Sequence, residues 1–388
     1  MSKTAYLVLE DGSTFRGIPF GSDSAAYGEV VFNTSMTGYQ EMLTDPSYSG
    51  QIVVPTYPMI GNYGITKEDN ESKEIQVSGF VVRQQCQEPS HRESSSTLAD
   101  FLLTHDIPGI SEIDTRAVTR RIRTHGVMMG ALAIDISPEE ALSQLENVPE
   151  YGNVNYVDQV SASKSYNWTK SLKNIPSKTP DLKILVSDFG LKYNILRILR
   201  SNGCTVEVFP SDTTAEELLE QNPDGIMLSP GPGDPELLGY TVKTVKDLLG
   251  RVPIMGICLG NQVLAQALGG KTYKLKFGHR GANHPVQDVS TGRVYITAQN
   301  HGYSIDPDSL PSEVEISHIS MNDQTVEGIR HRSLPAMSIQ YHSEASPGPK
   351  DNEYIFNRFL DMVREAKPVS YTHLRAHETL RYLVCRLM

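Results

Sequence analysis

Three short stretches carry residue types that could act on a substrate. In "PIMGICLGNQVLAQALGG", Pro253 to Gly270, Cys258 stands between Gly256 and Gly260, where an apolar strand-like run gives way to a helix-like one. This is the cysteine form of the G-x-S-x-G turn, which holds a nucleophile in sharply bent backbone between a strand and a helix. Side chains two residues away on either side would collide in such a turn, and glycine at both places removes them. The N-terminus of the following helix favours a thiolate and offers N–H groups to an oxyanion. The competing explanation is packing, because free cysteine is among the most buried residue types.

A thiol nucleophile needs a base, and the base needs an orienting group. "SIQYHSEASPGP" supplies His342 and Glu344 two residues apart at the end of an apolar run. On an extended chain their side chains share a face, so the carboxylate could hold Nδ1–H while Nε2 faces a thiol. The alternative is a surface His/Glu pair at a strand end. The third stretch is "SPGPGD", Ser229 to Asp234, where Gly231 and Gly233 would let backbone come close to a ligand. By itself it reads equally as a turn, and it lacks the G-x-x-x-x-G-K-[ST] pattern of a nucleotide phosphate loop.

The elements that must position these residues follow a regular order. "LKILVSDFG", "CTVEVFP", "GIMLSPGPGD" and "VPIMGIC" read as strands, alternating with helices at "LKYNILRILRSNG", "TTAEELLEQNPD" and "YTVKTVKDLLGR". That alternation predicts a doubly wound, mostly parallel α/β sheet covered on both faces over residues 182–367. Sites in such sheets lie beyond the carboxyl ends of the strands. Residues 1–150 show short alternating runs that predict hairpins, and two helices. One is at "SSSTLADFLLTHD", capped by serine, and the other at "DTRAVTRRIRTHG", capped by Asp114 and stopped by Gly126. This first unit is a mixed α+β (β/β/α) domain. Between the two, residues 151–181 are Ser/Lys-rich with two prolines and read as a linker.

Composition narrows the function classes. The chain has 388 residues and a formal net charge of -11, which argues against a non-specific nucleic-acid binder because such a protein needs a basic face. The N-terminal stretch is not a secretory signal, and no apolar run approaches the ~20 residues that span a bilayer. Cys86, Cys204, Cys258 and Cys385 are far apart and form no CxxC or Cys/His cluster, so no metal site and no disulfide framework is expected. Cytoplasmic location follows as the expectation.

With Cys258, His342, Glu344 and the Gly231/Gly233 loop in this order, residues 183–365 resemble the class I glutamine amidotransferase family. That family hydrolyses glutamine and delivers ammonia to a second active site. "FNTSMTGYQEMLTDPSYSGQIVVPTYPMIGNYG", "GISEIDTRAVTRRIRTHGVMMGAL", "KFGHRGANHPV" and "TAQNHGYSID" resemble, more narrowly, the carbamoyl-phosphate synthetase small-subunit family. The resemblance implies Cys258 as nucleophile, His342 as base and Glu344 as its orienter. It implies that Ser47, Gly231, Gly233, Leu259, Gln262, Asn300, Gly302 and Tyr303 bind glutamine, with the N–H groups of Leu259 and Gly231 on the oxyanion. It also implies no metal and no cofactor in this chain, and a large-subunit partner in a heterodimer. That partner consumes bicarbonate and ATP, with Mg and optionally K, for pyrimidine and/or arginine biosynthesis.

Other readings stay open on the sequence alone. Ser47 and Asn300-His301-Gly302 could be ordinary turns, and Arg116, Arg120, Arg121 and Arg123 either a solvated helix face or a contact for an acidic large-subunit surface. Asn261 stands where many relatives carry His, and Pro230 where they carry Asn, which would tune the site. After Lys367, "PVSYTHLRAHETLRYLVCRLM" turns basic and resembles nothing in the family, so residues 368–388 read as a non-native tail; a genuine interaction helix is the alternative. The competing functions are an amidotransferase for another synthetase, a free-standing γ-glutamyl hydrolase, and a catalytically dead scaffold.

Overall fold

The structure is a computed structural model that describes residues 4–173 and 179–367; the tail 368–388 lies outside the described residues. In the N-terminal half, seven strands close into a barrel: β1 (Ala5–Leu9), β2 (Thr14–Gly21), β3 (Ala26–Asn33), β4 (Gln51–Pro55), β5 (Gly79–Val81), β6 (Pro108–Ser111) and β7 (Met128–Ile134). Their order is β1-β2-β6-β5-β4-β3-β7. The period of two decides which way each strand faces. Ala5, Leu7 and Leu9 join Val30, Phe32, Ile52, Val54 and Ile110 in the interior. Val31, Val53, Phe80 and Val82 point outward and pack under helices α1 (Tyr39–Thr44) and α2 (Leu98–Thr104).

The cap of α2 differs from the serine expected. Thr97 accepts from the N–H of Asp100 at 3.1 Å, while Ser95 donates its hydroxyl to the Ile65 carbonyl in the preceding turn. Helix α3 (Thr115–His125) starts and stops where the sequence indicates. Asp114 accepts from the N–H of Ala117, and Gly126 leaves the helix at φ +106. Val118 and Ile122 turn into the barrel core, Arg121 pairs with Asp11 at 2.6 Å, and Arg116, Arg120 and Arg123 face solvent.

The C-terminal half is built on one sheet. Its strands are β8 (Tyr166–Trp168), β9 (Leu182–Asp188), β10 (Cys204–Pro210), β11 (Gly225–Leu228), β12 (Ile254–Ile257), β13 (Thr272–Asp288), β14 (Val294–Ile305), β15 (Val314–Ser320), β16 (Val326–His331) and β17 (Ala336–Ile339). They lie in the order β8-β10-β9-β11-β12-β17-β16-β15-β13-β14. The centre, β10 to β17, is parallel, and β16, β15, β13 and β14 extend it antiparallel. Helices α4 (Tyr193–Ser201) and α8 (Tyr354–Ala366) cover one face, over Ile184, Val186, Val206 and Met255. Helices α5 (Ala215–Glu220), α6 (Gly239–Leu248) and α7 (Leu259–Ala267) cover the other, over Leu185, Ile226, Leu228 and Ile254.

Within residues 151–181, read from composition as linker, Tyr166–Trp168 forms an edge strand on β10, and Trp168 packs against the Tyr193 ring at 4.9 Å. Serines and lysines dominate that composition, but four aromatic residues among them anchor the segment: Tyr166 and Trp168 in the edge strand, and Tyr151 and Tyr156 stacked at 4.9 Å. Among the described residues no helix is long and apolar enough to cross a membrane.

Candidate active site

Cys258 is the single residue between the end of β12 and the start of α7, and it makes the turn at φ +53, ψ -106. A non-glycine residue held there costs about 1–3 kcal/mol, which surrounding structure must sustain. The two glycines explain how. A Cβ on Gly256 would lie 2.3 Å from the Gly260 carbonyl oxygen, and one on Gly260 would lie 2.3 Å from that of Leu228. Strand and helix therefore approach this closely only because both positions lack side chains. The thiol is 2 % exposed and lies 3.6 Å from the Asn300 carbonyl oxygen. Cys258 is thus buried, as the packing explanation holds, yet packing alone requires no such strained turn.

His342 and Glu344 come to the same end of the sheet, in a turn just after β17 and not along an extended strand. His342 is fixed by its backbone N–H to the Ala298 carbonyl at 2.9 Å, and its Nδ1 meets Glu344 Oε1 at 2.6 Å. Nε2 is buried and has no hydrogen-bond partner. Burial opposes a charge on the imidazole, but the Glu344 carboxylate and the adjacent Cys258 outweigh it and raise the pKa. The ring is accordingly set up as a proton carrier whose open nitrogen serves the thiol.

Sequence reasoning missed the group behind Glu344. Lys192, buried just before α4, places Nζ 3.2 Å from Glu344 Oε1 and donates to the Ala345 carbonyl at 2.6 Å. Asn194 Nδ2 donates to the Glu344 carbonyl at 2.5 Å. Burial resists ionisation of Glu344, yet Lys192 and then His342 hold its pKa below the ordinary carboxylate value. Lys192 is itself held charged, against burial, by Glu344, Asp45 and Glu71. Glu71 comes from the N-terminal half, is 1 % exposed, and pairs with Arg197 of α4 at 2.7 Å. In "LKYNILRIL" a lysine reads as the polar side of a helix, and nothing local signals its burial.

Seven of the eight residues expected to bind the substrate line one cavity with Cys258: Ser47, Gly231, Gly233, Gln262, Asn300, Gly302 and Tyr303. Leu259 does not line it; its side chain packs in the core under α7. Ser47 Oγ is buried and unpartnered. Asn300 Nδ2 donates to Asp45 Oδ2 at 3.1 Å, and Gln262 Nε2 donates to the Tyr303 carbonyl at 2.9 Å. Gly231 must be glycine because a Cβ would stand 2.2 Å from the Phe189 carbonyl oxygen. The Gly233 N–H donates to the Tyr151 hydroxyl at 3.0 Å. Asn261 does not line the cavity; it accepts from the Ser338 hydroxyl at 2.8 Å and donates to Gln340 Oε1 at 2.9 Å. The cavity measures about 20 Å³, room for one water, and shares Glu29, Tyr151, Lys274 and Tyr303 with an outer vestibule of about 470 Å³.

Beside the cavity, β13, β14 and β16 bring His279, His301 and Glu327 together, with potential ligand atoms within 4.8 Å of one another. Residues so distant in sequence leave no cluster for a spacing rule to detect. His279 Nε2 meets Asp323 Oδ2 at 2.8 Å, and its Nδ1 lies 3.5 Å from Glu327 Oε1. Burial works against its charge, but the two carboxylates raise its pKa to about 9. A raised folded-state pKa stabilises fully below the ordinary value of 6.5, and that stabilisation is lost as pH rises through about 9. His279→Gln is therefore expected to cost ~2–3 kcal/mol near pH 6 and much less near pH 10, read by denaturant unfolding. A cost independent of pH would refute the pairing.

Comparison with known proteins gives the family. Residues 7–132 match the family described as carbamoyl-phosphate synthase small chain, CPSase domain, and residues 185–362 match glutamine amidotransferase class-I. Curated proteins named carbamoyl phosphate synthase small chain align nearly end to end. That of Akkermansia muciniphila is 50% identical over 94% of this chain and 98% of its own length. Those of Nostoc sp. and Aquifex aeolicus are 51% and 47% identical, each over 94% of this chain and over 96% and 100% of their own. With an amidotransferase-type elbow in one half, a small-chain barrel in the other, and relatives this similar across both, the chain belongs to the carbamoyl phosphate synthase small chain family.

Proposed function

We propose that this chain hydrolyses glutamine through Cys258, His342 and Glu344 and passes the ammonia to a large subunit. That subunit makes carbamoyl phosphate from bicarbonate and ATP, for pyrimidine and/or arginine biosynthesis. The observation that carries the reading is the strained Cys258, in one cavity with the unpartnered Ser47 hydroxyl and served by a His342 whose Nε2 is open.

Glutamine lies with its carboxamide over Cys258 and its amino-acid end among Ser47, Gln262, Asn300, Gly302 and Tyr303. The thiolate, its proton held on His342, attacks the carboxamide carbon, and the N–H groups of Leu259 and Gly231 take the oxyanion. Leu259 is the first residue of α7, so its N–H has no acceptor within the helix. Collapse breaks the C–N bond as His342 gives its proton to the departing nitrogen, which leaves as ammonia. Water then attacks the γ-glutamyl thioester while His342 takes its proton, and the C–S bond breaks to release glutamate and the Cys258 thiolate, with the proton left on His342. Glu344, anchored by Lys192, keeps the imidazole in the tautomer these transfers need. The chain uses no cofactor of its own; ATP, Mg and optionally K act on the large subunit, and the heterodimer works in the cytoplasm.

Glutaminase activity is measured with and without the large subunit. Addition of the partner is expected to raise it about ten-fold or more, as coupling between linked sites does. An equal rate alone and in the mixture would favour a free-standing hydrolase.

A further inference from the structure

The cavity holds one charge that the proposed mechanism leaves unused. Glu29, Lys274, Arg280 and His301 line it together with Cys258. Glu29 Oε1 pairs with Lys274 Nζ at 2.7 Å, and Glu29 Oε2 accepts from Gln51 Nε2 at 3.0 Å, so these two charges cancel. His301 is already engaged at both ring nitrogens, Nδ1 with the Tyr303 carbonyl at 2.8 Å and Nε2 with Gln299 Oε1 at 2.9 Å. Arg280 remains. It is 4 % exposed, its Nη1 donates to the Phe277 carbonyl at 2.8 Å, and its Nε is buried without a partner. Among the described residues no carboxylate is within ion-pair distance of it. A Cβ on Gly302 would stand 3.4 Å from Nη2, so the guanidinium lies against that stretch of the cavity wall. Gly278, at φ +67, gives it room, since a Cβ there would stand 2.4 Å from Nη1.

A buried guanidinium without a counter-ion is costly unless the functional state supplies one. The α-carboxylate is the anionic group of glutamine, and a planar fork of N–H donors matches it better than any other side chain here. We propose that Arg280 receives the α-carboxylate of glutamine and selects substrates that carry one. This rests on the glutaminase reading above and adds to it the residue that reads the far end of the substrate. Ser47, in the same cavity with its hydroxyl unpartnered, completes the contact.

The test uses the chain together with its large subunit and two substrates, glutamine and its α-amide, which releases the same ammonia but has no carboxylate. Arg280→Gln is expected to raise KM for glutamine about 100-fold with kcat nearly unchanged, and to shrink the preference for glutamine over the α-amide by the same factor. Arg280→Lys keeps the charge but loses the fork and falls between. The preference is a ratio within each variant, so general weakening of the fold cancels; if Arg280→Gln does not fold, Arg280→Lys carries the comparison. A preference unchanged in the folded variants would overturn the assignment while leaving the glutaminase intact. A wild-type enzyme that hydrolyses neither substrate would remove both readings at once.

Discussion

Cys258→Ser is expected to lower glutamine-dependent carbamoyl phosphate synthesis by about 10⁴-fold or more, while the complex continues to use free ammonia. The substitution barely changes shape, so the turn at Cys258 and the packing of β12 against α7 persist. What changes is the proposed nucleophile: a hydroxyl yields its proton to an imidazole far less readily than a thiol does, even to one whose proton affinity Glu344 raises. On the proposed division of labour, ammonia chemistry takes place on the other subunit and needs this chain only as a folded partner. Loss of both activities from a complex that still assembles would sink the division of labour. A variant that keeps normal glutamine-dependent synthesis would sink the role of Cys258.

Glu344→Gln should act on rate and on stability through different partners. Its amide cannot stabilise the imidazolium or fix the tautomer, and loss of that role in a comparable triad costs about 10⁴-fold in turnover. It also strands Lys192, which is 3 % exposed and takes its nearest counter-charge from Glu344 at 3.2 Å. Breaking a buried pair from one side costs about 3–5 kcal/mol. The double variant Glu344→Gln with Lys192→Met is expected to recover most of that stability in denaturant unfolding and none of the glutaminase. Recovery of activity along with stability would mean that Glu344 matters to the fold alone, and a single variant within ten-fold of wild type would dispose of its role altogether.

What the sequence made legible was local. The Gly256-x-Cys258-x-Gly260 spacing states a steric requirement of one turn, and Gly126 and Asp114 state those of one helix, so each can be read without knowing the rest of the chain. His342 and Glu344 were visible as a pair for the same reason, although their turn geometry was not. Long-range placement stayed hidden. Lys192 and Arg280 are ordinary surface residue types, and only their tertiary neighbours show that both are buried. The antiparallel extension β13–β16 gave no signal either, because its long strands alternate polar and half-buried residues around bulges. In residues 151–181 a solvated composition masked four aromatic anchors, Tyr151, Tyr156, Tyr166 and Trp168.

The N-terminal half reaches into the Cys258 cavity. Ser47 lines the nucleophile's cavity, Asp45 holds Asn300, and Glu71 neutralises the basic cluster that includes Lys192. The candidate site is thus built from both halves, and this limits how such chains can evolve by shuffling. A recombinant gene that exchanged the amidotransferase half for that of another enzyme would inherit a nucleophile without its electrostatic support. Only grafts bringing matching partners for Asp45 and Glu71 would remain active, so the two halves are bound to change together.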